Sequence, residues 1–182
     1  MKKSRTDFDF VSSILEEFFD RRKLRNSLSI IHDQEITGWE VWIQIELANF
    51  LSEHITMPQW CRELPLEFDY RREKTKWHFK PDFILRKKGW RLDQYVALEI
   101  KQHHQAGNCI TNMIADLAKV AKMRKSEIYL KSAWALGIFH TSPDTDALAA
   151  IEAKLVDAGL EYHESVVLVK KIRGTPFTFA LF

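Results

Sequence analysis

The feature that most constrains the fold is a pair of apolar runs on either side of a basic turn. The first is Lys80-Pro81-Asp82-Phe83-Ile84-Leu85 and the second is Tyr95-Val96-Ala97-Leu98-Glu99-Ile100-Lys101. Between them lies Arg86-Lys87-Lys88-Gly89-Trp90-Arg91-Leu92-Asp93, polar and carrying a glycine. β-branched and aromatic residues flanking a Gly-containing turn give the pattern of two strands joined as a hairpin. Each strand carries a carboxylate among apolar residues, Asp82 in the first and Glu99 in the second. Residues two apart in a strand share a face, so Glu99 and Lys101 point one way and Ile100 the other. Antiparallel pairing would set Asp82 beside Glu99, giving two carboxylates and an ammonium on one patch. Oxygen ligands converging in this way suit a hard divalent ion, Mg²⁺ or Mn²⁺.

Pro81-Asp82 followed by Glu99-Ile100-Lys101 resembles the signature of the PD-(D/E)XK nucleases, the restriction-endonuclease-like superfamily. A strand interior is a costly place for charge unless the charge is paired or functional, which gives the resemblance weight. It implies an α/β fold, a restriction-endonuclease-like three-layer sandwich with a mixed central sheet flanked by helices. One nuclease-like domain would cover residues 1–182, with 1–37 a helical extension, 38–169 the core and 170–182 a C-terminal edge strand. The resemblance further implies that Asp82, Glu99 and the Ile100 carbonyl hold one or two Mg²⁺ ions, for which Mn²⁺ can substitute. Lys101 would stabilise developing negative charge, or position or deprotonate the attacking water, with the lowered pKa of an ammonium near a metal. The expected activity is hydrolysis of phosphodiester bonds, in DNA by preference, with RNA left open.

The rest of the chain supplies helices and further strands. Apolar residues at Phe8, Val11, Ile14, Leu15, Phe18 and Phe19 predict an amphipathic helix from Phe8 to Arg25, with Asp7 or Asp9 as N-cap. Asn26 to Thr37 reads as loop with a short strand at Leu28 to Ile31. Trp39 to Leu51 is apolar on most sides and reads as a buried helix. Glu46 falls on its apolar side between Trp42 and Phe50, while Glu40 and Gln44 share a more polar side. The superfamily commonly turns a Glu of its first core helix toward the metal, which makes Glu46 the candidate and Glu40 the fallback. An ion pair at the core edge explains Glu46 equally well.

Leu64 to Tyr70 and Trp77 to Leu85 alternate as strands, giving three successive antiparallel strands with Tyr95 to Lys101. A helix follows from about Cys109 to Met123, with Asn112, Asp116 and Lys119 on its polar face. The resemblance implies that Gln102 and Lys119 contact nucleic acid, although an Asp116–Lys119 surface pair also accounts for the second. Ala133 to Phe139 is a near-continuous apolar run, as in a central strand covered on both faces. A helix from Asp144 to Gly159, a strand at Val166 to Val169 and an edge strand at Thr175 to Phe182 complete the chain.

Charge is distributed unevenly. The net charge is +2, yet residues 71–91 carry nine Lys or Arg against two acids. Lys80, Lys87 and Lys88 belong to that group and are candidates for contact with a polyanion. No apolar run approaches a membrane span, so a cytoplasmic protein is expected. Cys61 and Cys109 are too few and too far apart for a disulfide framework or a zinc site. There is no phosphate-binding Gly-rich loop, zinc-ligand spacing or Gly-x-Ser-x-Gly, which excludes support for an ATPase, a zinc enzyme or a serine hydrolase. The rival class is a non-catalytic nucleic-acid-binding or protein-interaction subunit on the same fold. A homodimer or a partner subunit fits either class.

Overall fold

The computed structural model describes residues 2–64, 80–123, 130–143 and 146–182, without the side chains of 2–4 and 122–123. Five helices flank one six-stranded mixed sheet among the described residues. The helices are α1 (Lys2–Asp20), α2 (Arg22–Asp33), α3 (Glu40–Glu53), α4 (Ala106–Met123) and α5 (Ala147–Asp157). The strands are β1 (Gln59–Arg62), β2 (Phe83–Arg86), β3 (Tyr95–His103), β4 (Leu130–His140), β5 (Leu168–Lys171) and β6 (Phe177–Leu181). Across the sheet their order is β1-β2-β3-β4-β6-β5. Only β3 and β4 pair in parallel, and α4 is the crossover between them.

Helices cover both faces because the central strands are apolar on both. Leu98, Ile100, Leu136, Ile138, Phe177 and Phe179 pack against α1, α2 and α3 through Val11, Leu15, Phe18, Leu28, Ile43 and Leu47. Ala135, Phe139 and Ala180 pack on the other side against Cys109, Ile110 and Met113 of α4 and Ile151 of α5. Each large side chain removed from water here contributes about 1.5–3 kcal/mol before chain entropy is set against it. The result is an α/β arrangement of helices, sheet and helices. Among the described residues no helix is long and apolar enough to cross a membrane.

Several local expectations change. The chain from Asn26 to Ile31 is helical, not a loop with a strand. Leu24, Leu28 and Ile31 are all buried, and that spacing of four and three is a helical stripe that overrides the β preference of Ile30-Ile31. The helix before it starts at Lys2, so Asp7 is no cap. Asp7 is buried inside α1, with its carboxylate 3.0 Å from Lys131 Nζ and accepting from Ser132 Oγ at 3.3 Å, which ties α1 to β4. The last strand is not an edge. β6 lies between β4 and β5, and all five of its residues are buried. Its apolar residues face both helical layers, whereas β5 carries the exposed Lys170 and Lys171 and forms the edge. β1 was not expected, since the chain from Pro58 to Pro65 reads as a turn.

Asp146 rather than an earlier residue caps α5, its side chain accepting from Ala149 N at 3.1 Å. Gly159 at φ +69 ends the helix, with Leu160 N donating to Leu155 O at 2.9 Å. The expected strand at 64–70, the basic turn at 71–76 and the start of the next strand, including His78, lie outside the described residues except for Leu64.

One glycine sets how closely α4 approaches the sheet. Gly137 of β4 is paired with Lys101 of β3, and a Cβ there would run into Met113 and Cys109 of α4. Gly137→Ala is therefore expected to lower the unfolding free energy by about 1–3 kcal/mol in urea titration. A change within experimental error would show that α4 does not depend on this close approach.

Candidate active site

The β2–β3 register pairs Phe83 with Leu98, and continuing it by one residue sets Asp82 opposite Glu99. The Asp82 carboxylate bridges the strands by accepting the Ile100 backbone N–H at 2.7 Å. Strand alternation turns Glu99 and Lys101 to the face covered by α4, and Glu99 is only 7 % exposed. The parallel crossover returns α4 over that face. Asp116 of α4 thereby lies 3.1 Å from Lys101 Nζ and also accepts Lys119 Nζ at 2.6 Å.

From the other layer, the first turn of α3 reaches the same end of β3. Glu40 places one carboxylate oxygen 3.8 Å from Lys101 Nζ and accepts the Gln102 backbone N–H with the other at 3.3 Å. Gln44, one helical turn along, is buried; its carbonyl accepts from Arg62 Nη2 at 2.6 Å, and its amide donates to Asp82. Four carboxylates from four segments thus surround Lys101, with Lys119 as the second ammonium.

Burial dominates the electrostatics. It pushes the Glu99 carboxyl up to about 8, helped by the charges of Asp82 and Asp116 and opposed by Lys101 and Lys119. Burial also raises Asp82 above the usual carboxylate range, against the pull of the Ile100 N–H and Lys101. Glu40 is raised for the same reason, with Lys101 opposing. For Lys101, burial acts to lower the pKa, but the Asp116 hydrogen bond and the charges of Glu40, Asp116 and Asp82 prevail and raise it. This is the balance with no cation bound, in which the crowd of carboxylates keeps the ammonium charged. The lowered pKa expected from sequence is that of the same ammonium beside a bound divalent ion.

Among the described residues no three His, Cys, Asp or Glu side chains already converge into a metal-binding group. The donor chemistry nonetheless fits a hard cation, since the available ligands are oxygens only. Asp82, Glu99 and the Ile100 carbonyl are the groups that would hold it. Their carboxylates are disfavoured in the charged form by burial and mutual repulsion, which a divalent ion relieves.

The other candidates separate. Glu46 sits six residues beyond Glu40, about 120° round the helix, and has no contact with the cluster among the interactions described. Gln102 joins the site through its backbone, and Lys119 through Asp116. Lys80, beside Pro81, pairs with Glu63 at 2.6 Å. Lys87 and Lys88 lie at the far end of the hairpin, about 16 Å from Asp82 at the rise of a strand, with Lys87 over the Phe10 ring. They are not neighbours of the carboxylates. Gln44, Arg62 and the role of Asp116 were not foreseen. The one available signal was spacing: Glu40 and Gln44 share a helical face, as do Asp116 and Lys119.

Glu99 binds its proton more tightly in the folded chain than in the unfolded one, where the usual value is 4.5. Its contribution is therefore fully favourable below that value and is lost as pH rises through about 8. In chelator-treated protein, Glu99→Gln should match the wild type in acid. It should become the more stable form by on the order of 2–4 kcal/mol above the folded-state pKa. Urea titrations across that range check this; a difference independent of pH would contradict it.

No protein-family model, curated protein or solved structure matches the chain.

Proposed function

We propose that this chain is a metal-dependent nuclease of the PD-(D/E)XK type that hydrolyses phosphodiester bonds in nucleic acid, with DNA favoured. The observation that carries the reading is the charge cluster at one end of β3, where Glu40 and Asp116 pair with Lys101 and Asp82 and Glu99 lie within electrostatic reach of it. Asp82, Glu99 and the Ile100 carbonyl would hold Mg²⁺, or Mn²⁺ in its place. When bound, the ion polarises the scissile phosphate and makes a bound water a better nucleophile.

The chain's own groups do the rest. Lys101 offers positive charge where the phosphoryl oxygens gain negative charge, or positions or deprotonates the attacking water. Asp116 and Glu40 hold that ammonium in place from opposite helical layers. Glu40 also fixes the backbone at Gln102, and Gln44 orients Asp82. Lys119, paired with Asp116 and more than half exposed, is a cation that can reach a flanking phosphate.

A second reading keeps the fold and drops catalysis. The Lys101–Asp116 pair and the Asp82–Ile100 hydrogen bond already satisfy these groups without a metal, as in a subunit that only binds nucleic acid or a partner. Cleavage of plasmid and single-stranded DNA in Mg²⁺ distinguishes the two. The nuclease reading expects cutting by the wild type and a loss of about 10²-fold or more in Asp82→Ala and Lys101→Met. Glu40→Gln should slow cleavage, whereas Glu46→Gln should leave it unchanged. Wild-type protein that binds DNA but cuts neither substrate in Mg²⁺ or Mn²⁺ would contradict this function.

A further inference from the structure

Past the carboxylates, the chain runs on through Gln102 and His103 of β3 and then His104 into a cleft of about 770 Å³. That volume lies in the ordinary range for small-molecule sites. Three imidazoles meet in it. His140, at the end of β4, has its ring centroid 4.2 Å from that of His104 and 5.0 Å from that of His32 on α2. Phe177 stands edge-on to His140 at 4.5 Å, and Trp39 stands edge-on to Phe177 at 5.6 Å. Trp39 and Phe177 are core residues, while His32 and His104 are exposed. Fixed aromatic walls therefore hold imidazole rings open to solvent.

The charges at the cleft narrow the occupant. No Lys or Arg is among its described lining residues, whereas Asp33 and Glu35 are. Burial, with His104 and His32 adding to it, lowers the His140 pKa and favours the neutral ring. A cleft with two carboxylates and no fixed cation is a poor phosphate site at neutral pH. It offers instead π faces and neutral hydrogen-bonding groups, including the Gln102 and Thr37 side chains. The group that fits is uncharged, flat and rich in hydrogen-bond donors and acceptors.

We propose that this cleft is a nucleoside subsite that takes an unpaired base next to the scissile phosphate. Its use in catalysis rests on the nuclease reading. Gln102 links the two places, since its backbone N–H bonds Glu40 of the carboxylate cluster and the same residue lines the cleft. A base can enter only when it is out of the duplex, because stacking hides its face and pairing occupies its edge. The substrate class is therefore single-stranded or frayed nucleic acid, with intact duplex cut more slowly.

The test is titration of Asp82→Ala protein, which leaves the cleft intact, with adenosine, inorganic phosphate and Zn²⁺ in separate experiments. The imidazole C–H resonances are followed by NMR. Adenosine at millimolar concentration should shift His32, His104 and His140 together. His104→Ala, at an exposed position, should weaken that binding about tenfold, the loss of one stacking face, and His140→Ala should do the same. No response to adenosine, or a response of these resonances to phosphate or Zn²⁺ alone, overturns the subsite. Adenosine binding in a wild-type protein that cuts no nucleic acid would sustain the nucleoside site and refute the nuclease. Cleavage that favours duplex, without adenosine binding, would do the reverse.

Discussion

The structure depends on placing charge in a strand that is buried on both faces. β3 pairs with β2 on one side and β4 on the other, and its residues from Val96 to Ile100 are buried. Into this setting the chain inserts Glu99, followed by a half-buried Lys101. Such groups are costly to desolvate unless partners are supplied. The partners of Lys101 come from every adjacent layer: Asp82 from the residue before β2, Glu40 from α3 and Asp116 from α4. The parallel step from β3 through α4 to β4 is what delivers Asp116. Gly137 lets α4 lie close enough for the contact to form. Fold and site are therefore one arrangement, in which the crossover that covers the sheet also supplies the counter-charge.

The cluster remains short of positive charge even so. Two ammonium groups face four carboxylates, and the raised pKa values of Glu40, Asp82 and Glu99 come first from burial, with the neighbouring carboxylates adding to it. The same carboxylates hold Lys101 protonated against the effect of burial. The imbalance favours a site that takes up a cation, while the aromatic cleft beyond Gln102 has no Lys or Arg for a phosphate among its described lining residues. Phosphate chemistry and base recognition would then occupy successive positions along one strand.

What the sequence made legible follows from how local each signal was. Strand periodicity, Gly89 in the turn and the apolar run at Ala133 to Phe139 located β2, β3 and β4, because alternation and turn chemistry act within a few residues. Which helical face meets the sheet is not local. Glu46 sits among aromatic residues of α3 and Glu40 does not, yet docking turns Glu40 to Lys101. Asp116 read as a surface partner of Lys119, since nothing in its own helix reveals the Lys101 it meets across the crossover. The interior position of β6 was readable in a run that is apolar apart from Thr178, beside the two lysines of β5, but an end-of-chain strand is easily assigned to an edge. The three-histidine cleft joins residues 32, 104 and 140, which no spacing rule connects.

We propose that these carboxylates form a cation site that stays partly protonated until the cation arrives. The most direct measurement is calorimetric titration of Mg²⁺ into the wild type and Asp82→Ala at about pH 7, in two buffers of different ionisation enthalpy. The wild type should bind the ion and release protons as Glu99 ionises, and Asp82→Ala should lose both signals. Absence of binding in the wild type, or binding with no proton release, would contradict it.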